Sequence, residues 1–216
     1  MSWLATLFPS RSGVTDEQAM WRVQRHDDPE AFAEVVRRWE EPVRRLCIRM
    51  TGDVQGGEDL AQETFVRVFA NRHRFQPGRR FSTWLWRIAL NLCHDEVRRV
   101  GRRGECPLEE EADDGLALTA GEPAPDERLL GQERAELVRD ALQRLPETHR
   151  AVIVLRDYEG LKLREIAAVL DIPEGTVKSR LADALTQLGR RLKPILKDDL
   201  ERPAQPAGPT KESVLL

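Results

Sequence analysis

A chain of 216 residues with a formal net charge of −3 can hold one large or two small domains, each able to bury a core. Its three cysteines, Cys47, Cys93 and Cys106, are odd in number and lack C-x-x-C spacing, so neither a disulfide framework nor a zinc site is expected, and no cofactor. No apolar run approaches the roughly twenty residues of a membrane span and MSWLATLF lacks the shape of a signal peptide, which points to a soluble, reduced, cytoplasmic protein.

Residues 1–24 read as an arm, loose over its first thirteen residues. Asp28-Pro29 supplies a helix cap and a first-turn proline, after which Phe32, Val35, Val36, Trp39, Val43, Leu46 and Met50 recur at helical spacing. Pro42 should kink or divide this helix. Gly52 and then Gly56-Gly57 close the first unit and introduce the next. In that next helix, residues 58–71, Leu60, Ala61, Thr64, Phe65, Val68 and Phe69 mark a buried side, and Asp59, Gln62, Glu63, Val66 and Ala70 share the opposite one. No histidine or further carboxylate stands at ligand spacing within it. The exposed side is then either a solvated acidic face or a docking surface for a basic partner helix, with an apolar residue ringed by acid and amide groups.

The charge of the whole chain hides an asymmetry. Residues 72–103 carry nine arginines against Asp95 and Glu96, a local net of +7, whereas residues 105–136 carry eleven acids against two arginines, a net of −9. A concentrated basic stretch matters more for binding a polyanion than the total does. It opens on the loop Arg74-Phe75-Gln76-Pro77-Gly78-Arg79-Arg80 with its Pro-Gly turn signal. A helix follows over 81–99, capped by Ser82 or Thr83, with Phe81, Leu85, Ile88 and Leu92 inward and Arg87, Asn91, His94 and Arg98 along another face. Such a helix can hold single-stranded nucleic acid, arginines meeting phosphates and bases stacking on aromatic rings. Trp84 reads first as a core anchor, and Trp86 stands evenly between core and stacking.

From Gly101 to about Glu133 periodicity is lost and glycine, proline and acid take over, the signature of a linker. It is either simply solvated or an occupant of a basic channel that mimics phosphate charge. Order resumes with Leu137, Val138, Ala141, Leu142 and Leu145, and Pro146 begins a further helix with Val152, Ile153 and Leu155 before Gly160. Residues 163–170, LREIAAVL, form a short helix with Leu163, Ile166, Ala167 and Leu170 on one stripe. Asp171-Ile172-Pro173 breaks it, and a second helix carries Val177, Leu181, Ala184, Leu188 and Leu192 inward with Gly175, Lys178, Ser179, Ala182, Asp183 and Thr186 outward. Two helices about a three-residue break fit a helix-turn-helix, whose second helix enters a DNA major groove; a plain αα-hairpin is the alternative. From Pro194 onward the composition reads as a mobile tail.

Three blocks, DLAQETFVRVF (59–69), FSTWLWRIALN (81–91) and LREIAAVLDIPEGTVKSRL (163–181), resemble in order and spacing the bacterial sigma factors of the extracytoplasmic-function group, group 4 of the sigma-70 family. The resemblance implies an all-α protein of two small helical domains: sigma region two over 25–104 and sigma region four over 134–193. An acidic linker over 105–133 would join them, and a disordered tail would occupy 194–216. It implies a dissociable, non-catalytic subunit that directs core RNA polymerase to promoters. Asp59, Gln62 and Glu63 would meet the coiled coil of the polymerase β′ subunit, and region four the β flap. Arg74, Phe75, Gln76, Arg79 and Arg80 would form the loop that captures a flipped base of the melted minus-ten element. Trp84, Trp86, Arg87, Asn91 and Arg98 would follow the unwound strand. Gly175, Thr176, Lys178, Ser179 and Arg180 would read the minus-thirty-five duplex together with Asp183, which stands where the family commonly carries an arginine or another long contact. The resemblance also implies restraint by an anti-sigma factor. The acidic linker is longer and more negative than a plain tether requires, and is expected to lie along the polymerase path of nascent RNA.

Two other classes account for less of the chain. A free-standing helix-turn-helix regulator would need a dimerisation signature to reach two half-sites and leaves the first hundred residues unexplained. An all-α adaptor explains the acidic helix but not the basic stretch. Enzymatic function is not expected, since no nucleophile, base and orienting group recur together and His26, His73, His94 and His149 are scattered.

Overall fold

Thr15, Asp28 and Asp53 each place a side-chain oxygen on first-turn amides, and each begins a helix. The Thr15 hydroxyl accepts from Gln18 N–H at 3.2 Å while Gln18 Oε1 accepts from Thr15 N–H at 3.0 Å, a reciprocal cap for α1 (Asp16–His26). Asp28 Oδ1 accepts from Glu30 and Ala31 at the start of α2 (Pro29–Thr51), and Asp53 receives Gln55 and Gly56 at the start of α3 (Val54–Ala70). The structure, a computed structural model, describes residues 13–76, 78–103 and 135–201. The start of the N-terminal arm, Pro77, the acidic linker with Cys106, and the tail beyond residue 201 lie outside these.

Helix α2 runs undivided through Pro42, against the expected kink or break. Val35 and Val36 before the proline and Val43, Leu46 and Cys47 after it are all buried, so both halves are held on one core despite the lost hydrogen bond. Gly57 is buried where α3 crosses α2: a Cβ there would stand 2.6 Å from Ile48 Cγ1 and 2.8 Å from the Ile48 backbone nitrogen, so only glycine allows this approach. Glycine therefore serves helix packing rather than the turn read from sequence.

Helix α4 (Phe81–Arg103) begins one residue before Ser82, so neither Ser82 nor Thr83 caps it. Its first amide is satisfied from another element, with Phe81 N–H donating to Glu17 Oε1 of α1 at 3.1 Å. Phe81, Leu85, Trp86, Ala89, Leu90, Leu92 and Cys93 are buried along α4 and close the core of the first half with Met20, Val23, Leu46, Met50 and Val68. The thiols of Cys47 and Cys93 lie in this core; the neighbouring Cys47 and burial push the Cys93 thiol well up, which makes it a packing group and not a nucleophile.

The second half comprises α5 (135–143), α6 (Glu147–Ile153) with a π-helical continuation over Val154–Tyr158, α7 (Leu163–Leu170) and α8 (Glu174–Glu201). Helix α8 continues through Pro194 to Glu201, against the mobile tail that the composition suggests from Pro194 onward. Leu142, Leu145, Ile153 and Ala184 form one cluster of the second half. Ala151, Val152, Val154, Leu155, Ile166, Val169 and Val177 join instead the cluster that contains Phe81 and Trp86. The two halves therefore share apolar core in addition to chain.

Polar groups seal that junction. Gln143 Nε2 donates to Arg49 O at 2.8 Å and Arg150 Nη1 donates to Met50 O, both carbonyls in the last turn of α2. Arg49 in turn stacks its guanidinium 4.2 Å from the centre of the Tyr158 ring and stands 3.8 Å from Glu159, while His94 Nδ1 stands 3.2 Å from Glu147. Burial pushes the Arg49 guanidinium down and the Glu159 carboxyl up, each partly offset by the other's charge.

Candidate polymerase and nucleic-acid interface

Helix α3 buries Ala61, Thr64, Phe65 and Val68 and turns its other side to solvent. Asp59 and Gln62 are exposed, Glu63 is half-buried in an ion pair with Arg67 at 2.9 Å, and Val66 is 61% exposed beside them. Asp59 has no hydrogen-bond or ionic partner among the described residues. Phe69, expected on the buried side, is 38% exposed, its ring against Phe32 at 5.1 Å and under the Arg72 guanidinium at 4.5 Å. The face thus offers two carboxylates and an amide around an exposed aliphatic group, the composition of a protein contact surface more than of a solvated helix side.

The loop after α3 is shaped from below. Gln24 of α1 donates to the carbonyls of His73 and Phe75 at 3.1 Å each, and Arg72 pairs with Asp27 at 2.7 Å. The Phe75 ring is 5% exposed between Phe81 at 6.0 Å and Trp84 at 5.4 Å. Gly78 turns the chain back at φ +85°. Arg74, Gln76 and Arg79 are left exposed, and neither Arg74 nor Arg79 has a carboxylate partner among the described residues. Phe75 therefore anchors the loop and presents no face to a base, which corrects its place among the candidate strand contacts.

Of the two tryptophans of α4, Trp86, read evenly between core and stacking, lies in the core, and Trp84, read first as a core anchor, packs partly buried against it. Trp86 is 3% exposed and packs edge-on against Trp39 at 5.5 Å, so it is core and not a stacking platform. Trp84 is half-buried at the loop side and keeps part of its ring at the surface. Asn91 and Arg98 are exposed further along α4. Arg87, the first arginine of that stripe, is held by α7: its Nε donates to Ala168 O and Val169 O at 3.1 Å each, and its Nη2 to Ala168 O at 2.7 Å and to Asp171 Oδ1 at 3.2 Å. Arg80 is paired with Glu165 of α7 at 2.5 Å. Glu165 accepts from Lys162 N–H at 2.9 Å, and this bond, with Arg80 beside it, holds its carboxyl below the ordinary range.

In the second half, Asp171 closes α7 in the left-handed region at φ 57°, a conformation that an aspartate tolerates better than most side chains. Residues 171–173 then redirect the chain into α8, where Val177 and Ala184 are fully buried and fix the pair as a helix-turn-helix. Gly175, Lys178, Ser179 and Asp183 are exposed on the outer side of α8, and Thr176 and Arg180 are half-buried at its edge. Ser179 donates its hydroxyl proton to Thr176 O at 3.0 Å, Lys178 stands 3.5 Å from Glu174, and Asp183 stands 4.0 Å from His149 Nε2. This face carries one long basic group free of carboxylates among the described residues, Arg180, and an acid one turn on.

No three His, Cys, Asp or Glu side chains of the described residues come together as a metal site requires, and no helix of the described residues is long and apolar enough to cross a membrane. The described residues present an acid-amide face on the first half, a basic loop and helix beside it, and the outer side of a helix-turn-helix on the second.

Residues 35–103 match the family Sigma-70 region 2, and residues 135–188 match Sigma-70, region 4. The extracytoplasmic-function RNA polymerase sigma factor SigW of Bacillus subtilis is 35% identical over 170 residues, 77% of this chain and 91% of that protein. The RNA polymerase sigma-H factor of Pseudomonas aeruginosa is 32% identical over 189 residues, 85% and 96% of the two chains. Among solved structures, CnrH bound to the cytosolic domain of CnrY is similar at a TM-score of 0.62 with 25% identity, over 85% of this chain and 98% of that one. The sigma factor RpoE of Bartonella quintana, solved with the anti-sigma factor NepR, is similar in fold at a TM-score of 0.59 with 24% identity, over 75% and 96%. With both sigma regions matched in order and relatives this similar along most of their length, the chain belongs to the extracytoplasmic-function RNA polymerase sigma factors of the sigma-70 family.

Proposed function

We propose that this protein is a group-4 sigma factor that acts in the cytoplasm as a non-catalytic subunit: it binds core RNA polymerase, recognises the minus-thirty-five and minus-ten elements and promotes strand opening. The observation that carries the reading is the pairing, in one chain, of a region-two match whose α3 exposes Asp59 and Gln62, with Glu63 half-buried beside them, and a region-four match that ends in a helix-turn-helix. Residues 25–104 serve as region two and residues 134–193 as region four, α8 extending beyond the latter. Asp59, Gln62 and Glu63, with Val66 beside them, dock on the β′ coiled coil, and region four meets the β flap. Arg74, Gln76, Arg79 and Arg80 receive the melted minus-ten element and Arg87, Asn91 and Arg98 its backbone, with Trp84 the one tryptophan of α4 placed to stack on a base. Phe75 and Trp86 support that surface from inside. Gly175 allows close approach to a phosphate, and Thr176, Lys178, Ser179 and Arg180 contact the duplex. An anti-sigma factor restrains it, as NepR accompanies the Bartonella protein and CnrY accompanies CnrH.

The test is transcription from a pool of genomic fragments by purified bacterial core polymerase with and without the chain. Discrete start sites that depend on the chain are expected. A chain that binds no polymerase would leave the free-standing regulator as the better reading.

Asp183 sets a second expectation. At this place on α8 a carboxylate faces duplex phosphates and repels them. Asp183→Arg should tighten duplex binding roughly threefold to tenfold at low salt and steepen log K against log[salt] by about 0.9 for one added phosphate contact. A salt titration that superimposes on the parent's would remove Asp183 from the duplex-facing side.

A further inference from the structure

Between α1 and the basic loop lies a groove of about 440 Å³, large enough to take bulky side chains. Val14, Gln18 and Trp21 line it from the α1 side, and Phe75 and Gly78 from the loop side. Most of the surface they give it is apolar. Trp21 is 49% exposed, its ring edge-to-face with His26 at 5.5 Å. Among the other large apolar side chains left exposed, Val66 and Phe69 lie along the α3 face proposed to dock. Trp21 lies on neither that face nor the core. A half-exposed tryptophan on an apolar groove marks a contact surface.

The chain that leads into α1 carries a cover of matching chemistry. Trp3, Leu4, Leu7 and Phe8 put four large apolar side chains within six positions, and their spacing of i, i+1, i+4 and i+5 would place them on one side of a short helix. Pro9 disfavours helical backbone at Phe8 and so bounds that run. The reach is short. Phe8 stands six positions before Val14, which itself lines the groove, so at most about 20 Å of chain separates them. Trp21 lies about 8 Å along the axis from the start of α1.

Gly13 supplies a change of direction at this point. Its φ is +126°, where most side chains are excluded, and a Cβ there would meet nothing within 4 Å among the described residues, so backbone conformation and not crowding calls for glycine. Charge agrees as well. Arg11 is the one charged side chain between Ser2 and Ser12, and the exposed Glu17 stands on the groove.

We propose that residues 3–8 fold back along α1 and seat their apolar side chains in this groove, covering Trp21 and bracing Phe75 and Gly78 from below. The seated segment adds a second support to a loop that Gln24 already pins through the His73 and Phe75 carbonyls. It fixes the loop without touching its exposed arginines. The seat uses the groove and the segment alone, so it stands whether or not the loop receives a DNA base.

The experiment uses the full chain with labelled leucine methyls, read by nuclear Overhauser contacts, and hydrogen exchange of the parent and of the variant Leu4→Ser, Leu7→Ser, Phe8→Ser. Contacts between the Leu4 or Leu7 methyls and the Trp21 indole are expected, and Trp21→Ala should shift those methyl resonances. In the serine variant the amides of Arg74, Phe75 and Arg79 should exchange about tenfold faster, as a local opening made easier, while those of Val177 and Leu181 in α8 keep the parent's rate. Absence of the methyl–indole contact would overturn the proposal whatever the exchange rates. A contact found only between differently labelled chains in a mixture would give the groove to a second copy and overturn the intramolecular seat. The contact without faster loop exchange would overturn the bracing, and faster exchange in α8 as well would assign the effect to general destabilisation and overturn it too.

Discussion

Changing Asp59, Gln62 and Glu63 together to alanine should lower chain-dependent transcription by core polymerase a hundredfold or more while the melting curve hardly moves. None of the three holds the fold. Asp59 has no partner among the described residues, and the exposed Glu63–Arg67 pair at 2.9 Å is of the i,i+4 kind that contributes about 0.3–0.5 kcal/mol. Alanine raises helix propensity at all three positions, which offsets that loss. In the docked state each carboxylate would instead accept charge-assisted hydrogen bonds from a basic helix, at about 1.5–3 kcal/mol apiece for groups desolvated by contact. Two such losses already exceed the roughly 2.7 kcal/mol that corresponds to a hundredfold in affinity. The measurement is start-site yield together with capture of core polymerase by the tagged chain; the triple variant giving undiminished starts would move the docking face elsewhere on region two. Val66→Glu, at the 61% exposed aliphatic centre of this face, should weaken capture for the complementary reason, since a charge replaces the group that excludes water there.

Helical periodicity makes most of the fold legible because the pattern in sequence and the side that packs are the same thing for an amphipathic helix. Val177, Leu181, Ala184, Leu188 and Leu192 do line the inner side of α8, and Ala61, Thr64, Phe65 and Val68 that of α3. What fails is local grammar overridden by packing. Pro42 reads as a break, but buried residues on both sides of it keep α2 whole. Ser82 reads as a cap, but Glu17 of α1 satisfies the first amide of α4. Trp84 and Trp86 are two residues apart and so lie about 200° from one another around a helix; one of them has to face the core, and which one depends on Trp39 of α2, a contact that no local signal announces. The place of Phe75 in a basic loop points to DNA, whereas Gln24 pins that loop so that the ring turns inward.

The contacts between the halves are the least legible of all. Arg80 and Arg87 are basic residues on a basic stretch, and sequence alone has no means of pairing them with Glu165 and Asp171, 85 and 84 positions later. Arg150 is different, because a signal is present: an arginine that opens the run Arg150-Ala151-Val152-Ile153-Val154-Leu155 must either be solvated at the end of that run or be buried with partners.

Arg150 should therefore be the most costly single position in the second half. It is 6% exposed and no carboxylate is bonded to it; its five donors are met by oxygen dipoles instead. Its Nε donates to Leu142 O at 3.1 Å, its Nη2 to Gln143 O at 2.5 Å and Leu145 O at 3.3 Å, and its Nη1 to Gln143 Oε1 at 2.5 Å and to Met50 O. The carbonyls of Leu142 and Gln143 end α5 and that of Met50 ends α2, so one cation lies at the negative ends of two helices and ties region four to region two. Burial pushes the guanidinium down from its ordinary value, with Glu147 opposing, but an arginine keeps its charge and the cost of desolvation is met by the bonds. Arg150→Ala leaves those carbonyls buried and unpartnered and opens a cavity, at about 3–5 kcal/mol. For a chain of this size that corresponds to a fall in melting temperature of roughly 6–20 °C. Arg150→Lys keeps the charge but supplies three donors from one point, too few and too converged for oxygens spread over two helix ends, and should recover less than half of the loss. Calorimetric melts of the parent and the two variants check both statements. A fall below about 2 °C for the alanine variant would mean that Arg150 does not hold the two helix ends together, and full recovery by lysine would mean that charge alone, and not the fork of hydrogen bonds, does so.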